Sequence, residues 1–128
     1  MSGELLLDTN AVIAQMNGDP AFRAVVAAQL LNVPVPVFAE MFYGAEKSFR
    51  AAENLARVGQ YAATALVLGT DLTTARIYGT IRQELQSKGR PIPINDIWIA
   101  AVARQYDLTL MTRDAHFNNV PGLRLVSS

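Results

Sequence analysis

Apolar positions along the chain fall in short unbroken runs separated by longer stretches of helical period. The first run, Leu5-Leu6-Leu7, is too short for a helix and closes at the polar turn Asp8-Thr9-Asn10, which marks it as a buried strand. Ala11 to Met16 reads as a short helix closed near Asn17-Gly18. Asp19-Pro20 starts a second helix, with aspartate as N-cap and proline at the first helical position, and the apolar pattern carries it through Leu31 to a break at Asn32. Val33-Pro34-Val35 reads as a second strand, its proline at a position that donates no ladder hydrogen bond. Pro36 opens a helix from Val37 to about Phe49. A further helix runs from Ser48 or Ala51 to Ala65. Leu66-Val67-Leu68 makes a third strand before Gly69, and Thr70-Asp71 caps a helix that Gly89 stops after Ser87. Beyond the Arg90-Pro91-Ile92-Pro93-Ile94 loop, Asn95 caps a helix from Asp96 to about Tyr106. Leu108 to Met111 and Leu123 to Val126 end the chain as strands four and five.

Five short apolar strands separated by helices predict an α/β fold: a single domain spanning 1–128, with a mainly parallel five-stranded sheet covered by helices on both faces. Only a sheet buried on both sides makes strands continuously apolar instead of alternating. Ligands bind such sheets beyond the carboxyl ends of the strands.

Composition narrows the chemistry. Of 128 residues, 51% are hydrophobic and 17% charged, below the roughly 25% charged typical of globular domains, so disorder is excluded and a large buried fraction is expected. Part of that surplus suits a subunit interface, since Phe22, Phe38, Phe42, Tyr43 and Phe49 crowd the first half of a small chain. No cysteine means no disulfide, no thiolate metal site and no cysteine nucleophile, leaving carboxylates and one histidine. The net charge is zero, which argues against bulk electrostatic binding of nucleic acid, yet nine of the eleven basic residues are arginines, suited to bidentate phosphate contacts. The start of the chain has no basic segment ahead of its short leucine run, and no apolar run approaches a membrane span, so a cytoplasmic location without membrane contact is expected.

Seven of the eleven acids have a local explanation. Glu46 with Arg50, Glu53 with Arg57 and Glu84 with Lys88 are i,i+4 pairs on helix faces. Asp19 and Asp71 start helices, Asp107 lies in a turn, and Glu4 precedes the first strand. Four remain, each where a strand ends or a helix begins at one edge of the sheet. Asp8 follows strand one, and Asp114 follows strand four. Asp96 opens a helix whose next residues are apolar all round, with Asn95 already placed as the cap. Glu40 lies between apolar residues on both sides, where an unpaired carboxylate would cost several kcal/mol and so needs a partner. Gly44, one turn on, leaves space on that face for a cation or phosphate, and Lys47 extends it. Four converging carboxylates repel each other, and a divalent cation is the natural counter-charge. Oxygen ligands favour Mg²⁺ or Mn²⁺ over zinc and point to metal-assisted phosphodiester hydrolysis.

The segments Leu6-Leu7-Asp8-Thr9-Asn10, Ala39-Glu40-Met41-Phe42-Tyr43-Gly44-Ala45, Asn95-Asp96-Ile97-Trp98-Ile99-Ala100-Ala101 and Thr112-Arg113-Asp114-Ala115-His116-Phe117, in this order over nearly the whole chain, resemble PIN-domain ribonucleases, specifically VapC-type toxins of toxin–antitoxin pairs. The closing Val120-Pro121-Gly122-Leu123-Arg124 is similar to the family's ending. The resemblance implies a Mg²⁺-dependent endoribonuclease acting on tRNA or rRNA, held as a homodimer and inhibited by a cognate antitoxin that places an arginine among the acids. Its catalytic tetrad maps onto Asp8, Glu40, Asp96 and Asp114. Asp8 and Asp96 match the metal ligands, Asp114 a direct or water-mediated third, and Glu40 the holder of a metal-bound water or second ion. Asn10 and Thr112 would hydrogen-bond these carboxylates, and His116 matches a structural position.

Rivals from other classes fit less well. A phosphorelay receiver needs a lysine after its last strand, whereas Lys47 and Lys88 both fall in helices. A phosphatase with an aspartyl nucleophile needs an acid at position 10, which is asparagine. A catalytically silent PIN-like module that binds RNA or protein is the alternative, set against four intact acids.

Overall fold

The computed structural model describes residues 4–27 and 29–128. Five strands, β1 (Glu4–Leu7), β2 (Leu30–Pro34), β3 (Leu66–Leu68), β4 (Thr109–Met111) and β5 (Leu125–Val126), form one sheet in the order β3-β2-β1-β4-β5, and every pairing is parallel. Between them lie α1 (Thr9–Met16), α2 (Pro20–Val26), α3 (Val35–Glu46), α4 (Ala51–Thr64), α5 (Leu72–Ser87) and α6 (Ile94–Gln105). Leu5, Leu6 and Leu7 point alternately to the two faces of β1 and all three are buried, so both faces of the sheet are covered. The α/β architecture with a parallel five-stranded sheet is therefore as the sequence predicts.

Two expectations are corrected. The second helix does not reach Leu31: α2 ends at Val26 and Leu30 already belongs to β2; residue 28, in the stretch assigned to that helix, lies outside the described residues. A continuous apolar run is compatible with helix and with a strand buried on both faces, and here the strand prevails through its register with β1. Asn32 consequently sits inside β2, buried, where its Nδ2 donates to the Leu5 carbonyl at 3.2 Å and to Glu4 at 3.4 Å. The surface ion pairs also differ from the i,i+4 scheme among the described residues. Glu53 pairs with Arg50, Glu84 with Arg104 of α6, and Lys88 donates to the Asn119 carbonyl; each finds a nearer partner than its i+4 neighbour.

The core runs through β1, α6 and the buried sides of α1, α3 and α5, with Phe22 and Phe117 as its largest fully buried side chains. Strands β1, β2 and β3 are added in one direction and β4 and β5 in the other. The chain therefore reverses its order of addition between β1 and β4, and this switch point opens a crevice beyond their carboxyl ends. Asp8 follows β1 directly, and Thr112 to Asp114 follow β4. The topology alone brings two of the four acids together.

Candidate metal centre

Asp8 is fixed by the turn into α1. It is the N-cap, with Oδ1 accepting from the Ala11 amide at 2.8 Å, while Oδ2 accepts from the Thr112 hydroxyl. The carboxylate is only 4% exposed, and burial raises its pKa above the usual carboxylate range even though both hydrogen bonds favour the charged form; the charges of Asp114 and Glu40 push it in the same direction as burial. Thr112 also accepts from the Asp114 amide at 2.9 Å, so one buried hydroxyl ties together the turns that carry two of the acids. Asp114 in turn caps a 3-10 turn, Ala115–Asn119, by accepting from the His116 amide.

Asp96 lies in the first turn of α6, where the helix dipole favours a carboxylate. The helix begins two residues earlier than expected, with Pro93 at the N-cap and no side-chain cap bond. Asn95 is therefore not the cap. Being inside the helix frees its amide, which donates to the Pro36 carbonyl at 3.1 Å and to Glu40 Oε1 at 2.7 Å. Burial, followed by the charges of Asp114 and Glu40, pushes the Asp96 carboxyl up to about 6, against a lesser opposing pull from His116.

Glu40 is the acid whose surroundings differ most from the sequence reading. It has apolar neighbours in sequence, yet Val37, Met41 and Ala45, spaced one turn apart, take the core side of α3 and leave Glu40 exposed. Its partners are Asn95 and Thr9, whose hydroxyl donates to the same oxygen, Oε1, at 2.7 Å. Oε2 carries no side-chain bond among the described residues and is available to the cleft. Asn10 is exposed and lines that cleft without a hydrogen bond to any carboxylate among the described residues. The supporting role given to it falls to Thr9, its neighbour. Gly44 packs against nothing, as open space stands where a Cβ would be, and Lys47 lies over the Tyr43 ring at 4.8 Å.

All four acids line one cleft of about 220 Å³, together with Thr9, Asn10, Pro93 and Asn95. No lysine or arginine lines it among the described residues. Arg113, adjacent to Asp114 in sequence, turns its guanidinium to Asp19 at 2.9 Å and to the Ser128 hydroxyl. What does approach is His116: its Nδ1 lies 3.1 Å from Asp114 Oδ1 and 3.7 Å from Asp96 Oδ2. Asp96, Asp114 and His116 each present a ligand atom within 4.8 Å of the others, a grouping able to hold a metal ion. The sequence reading placed His116 in a structural position. The signal that could have placed it at the site is its spacing two residues beyond Asp114 in a tight turn.

An acidic, oxygen-lined cleft at a topological switch point of a parallel sheet could hold a divalent cation, as nucleases acting on phosphodiesters require. The chain belongs to the PIN domain family, whose profile matches residues 5–123. It is 34% identical over 125 residues to the tRNA(fMet)-specific endonuclease VapC of Shigella flexneri, covering 94% of this chain and 95% of that protein. It is likewise 34% identical over 123 residues to Ribonuclease VapC2 of Haemophilus influenzae, with 93% of each covered. Among solved structures it is similar to DNA-bound VapBC from Salmonella typhimurium, with a TM-score of 0.88 and 30% identity over 99% of this chain and 98% of that one.

Proposed function

We propose that the whole chain, 1–128, acts as one PIN domain: a Mg²⁺- or Mn²⁺-dependent endoribonuclease, the toxin of a toxin–antitoxin pair, cleaving tRNA or rRNA in the cytoplasm. The observation that carries this reading is the convergence of Asp8, Glu40, Asp96 and Asp114 on one cleft with no basic side chain lining it among the described residues. No helix of the described residues is long and apolar enough to cross a membrane.

The donor set fits a divalent ion. Two of the carboxylates have raised pKa values, the mark of uncompensated negative charge in a partly desolvated site. Asp8, Asp96 and Asp114 would hold the ion. When bound it supplies counter-charge for the phosphate and lowers the pKa of water. Glu40, fixed through Oε1 by Thr9 and Asn95, keeps Oε2 free of side-chain bonds among the described residues, to orient the attacking water and accept its proton. Attack on phosphorus breaks the bond to the 3′ oxygen, which keeps the electron pair and takes up a proton from solvent, leaving a 3′-hydroxyl and a 5′-phosphate. Thr112 positions Asp8 and the Asp114 backbone together. Thr112→Val, which keeps shape but removes both bonds, should weaken Mn²⁺ binding on the order of tenfold, as read by titration calorimetry.

The catalytic reading is tested by incubating purified protein with total cellular RNA, with Mg²⁺ or with EDTA. New 5′-phosphate ends are expected only with the metal. A silent RNA-binding module would retard RNA without cutting it.

The antitoxin has a fitting place beside the cleft. A mostly apolar groove of about 280 Å³, lined by Ile13, Met16, Met41 and Val58 with Arg57 beside them, shares Thr9 and Glu40 with the acidic cleft. An antitoxin segment seated there would carry an arginine to the acids, where a guanidinium occupies the cation's niche and blocks phosphate. A homodimer accounts for other exposed apolar surface. Of the five aromatics singled out in the sequence, Phe22 and Phe38 are core, whereas Phe42, Tyr43 and Phe49 are exposed, the last fully so. Light scattering of the isolated protein at micromolar concentration should give twice 13.9 kDa. A value of one chain mass would count against the dimer.

A further inference from the structure

The four acids are not the whole donor set. The only nitrogen ligand that approaches them among the described residues belongs to His116, carried on the 3-10 turn that Asp114 itself caps. Asp114 Oδ1 accepts from the His116 amide at 2.9 Å, and the same oxygen stands 3.1 Å from the imidazole Nδ1. The ring is thus folded back over its own turn toward the acids, with about half of the side chain in solvent. A separation of 3.1 Å is that of two adjacent ligands on one octahedral ion, since metal–ligand bonds of about 2.1 Å at right angles place their donor atoms about 3 Å apart. The 3.7 Å to Asp96 Oδ2 is also within the span of one coordination sphere.

We propose that His116 is a direct metal ligand through Nδ1, which makes the centre of this protein a mixed carboxylate–imidazole site with Asp96 and Asp114, instead of an all-oxygen one. The proposal rests on the metal-dependent reading of the cleft. An imidazole nitrogen suits transition-series ions better than Mg²⁺, so His116 tilts the site toward Mn²⁺ and its neighbours in the series. It also explains why a half-exposed histidine is turned inward onto two carboxylates when its ring could extend into water.

The chain's single histidine makes the test unambiguous. Tag-free protein loaded with substoichiometric Mn²⁺ should show the ¹⁴N modulation of one coordinated imidazole in electron spin echo spectra. His116→Ala and the amide-bearing His116→Gln should both lose it, while circular dichroism shows the fold kept. In calorimetry both variants should weaken Mn²⁺ by about tenfold and Mg²⁺ by less than about threefold, because only the former gains appreciably from nitrogen. Mn²⁺ bound to wild type without imidazole modulation overturns the ligand role and leaves the metal site standing. Failure of Mn²⁺ to bind, or binding unaltered in an Asp8→Asn/Asp96→Asn double variant, overturns both.

Discussion

Asp96→Asn should abolish RNA cleavage and the growth arrest it causes, with the fold intact. Asparagine keeps the shape of the side chain and its place in the first turn of α6, but removes one of the charges proposed to hold the cation between Asp8 and Asp114. Asp8→Asn should do the same. Glu40→Gln should behave differently: glutamine still accepts at one oxygen from Thr9 and Asn95 yet cannot take a proton from water, so Mn²⁺ binding persists while turnover falls by about 10² to 10⁴. Glu46→Gln and Glu53→Gln, on exposed helix surfaces, should change activity little. The assay is total cellular RNA incubated with each variant and Mg²⁺, followed by mapping of new 5′-phosphate ends. Cleavage by Asp96→Asn at the wild-type rate would sink the ligand assignment. Equal metal affinities for wild type and Glu40→Gln, with unequal rates, would separate water activation from metal binding.

Asp8, Asp96 and Asp114 could be found in the sequence because each stands at a strand end or helix start, and a parallel sheet gathers those ends at one edge, whereas Glu40 lies in the second turn of α3. What holds them there could not. Thr9 reaches Glu40 across 31 positions and Asn95 reaches it across 55, so neither partnership leaves a local trace, and both residues carry turn-former chemistry that reads as capping. Asp8 shows why the local and the catalytic explanations were hard to separate: it is both a helix cap and a member of the cleft, through different oxygens. The exposure of Glu40 is hidden in the sequence for a different reason. Apolar residues flank it in sequence, but burial on a helix follows the spacing of Val37, Phe38, Met41 and Ala45 and leaves Glu40 outside. The boundary of α2 was lost where a strand buried on both faces carries the same unbroken apolar signal as a buried helix.

The same acids should make the metal-free protein less stable as pH rises. Asp96 has its carboxyl pushed up to about 6 from an ordinary 3.8, and Asp8 is raised as well, both chiefly by burial. A raised folded pKa means that the folded state binds protons more tightly than the unfolded one. The contribution of these groups is therefore fully present below about pH 4 and is lost as pH rises through about 6, where the cluster is forced to ionise. Melting temperatures measured in EDTA should fall between pH 5 and 7 by an amount that Asp8→Asn/Asp96→Asn largely removes, so the double variant melts above the wild type near neutrality. A divalent cation reverses the sign for the wild type alone, because it binds the ionised, folded cluster: at 100 times Kd it adds about 2.7 kcal/mol, on the order of 10 °C for a chain of this size. That gain should shrink at pH 5, where protons compete for the same oxygens. Identical responses of wild type and double variant to Mn²⁺ across this range would place the metal elsewhere in the molecule.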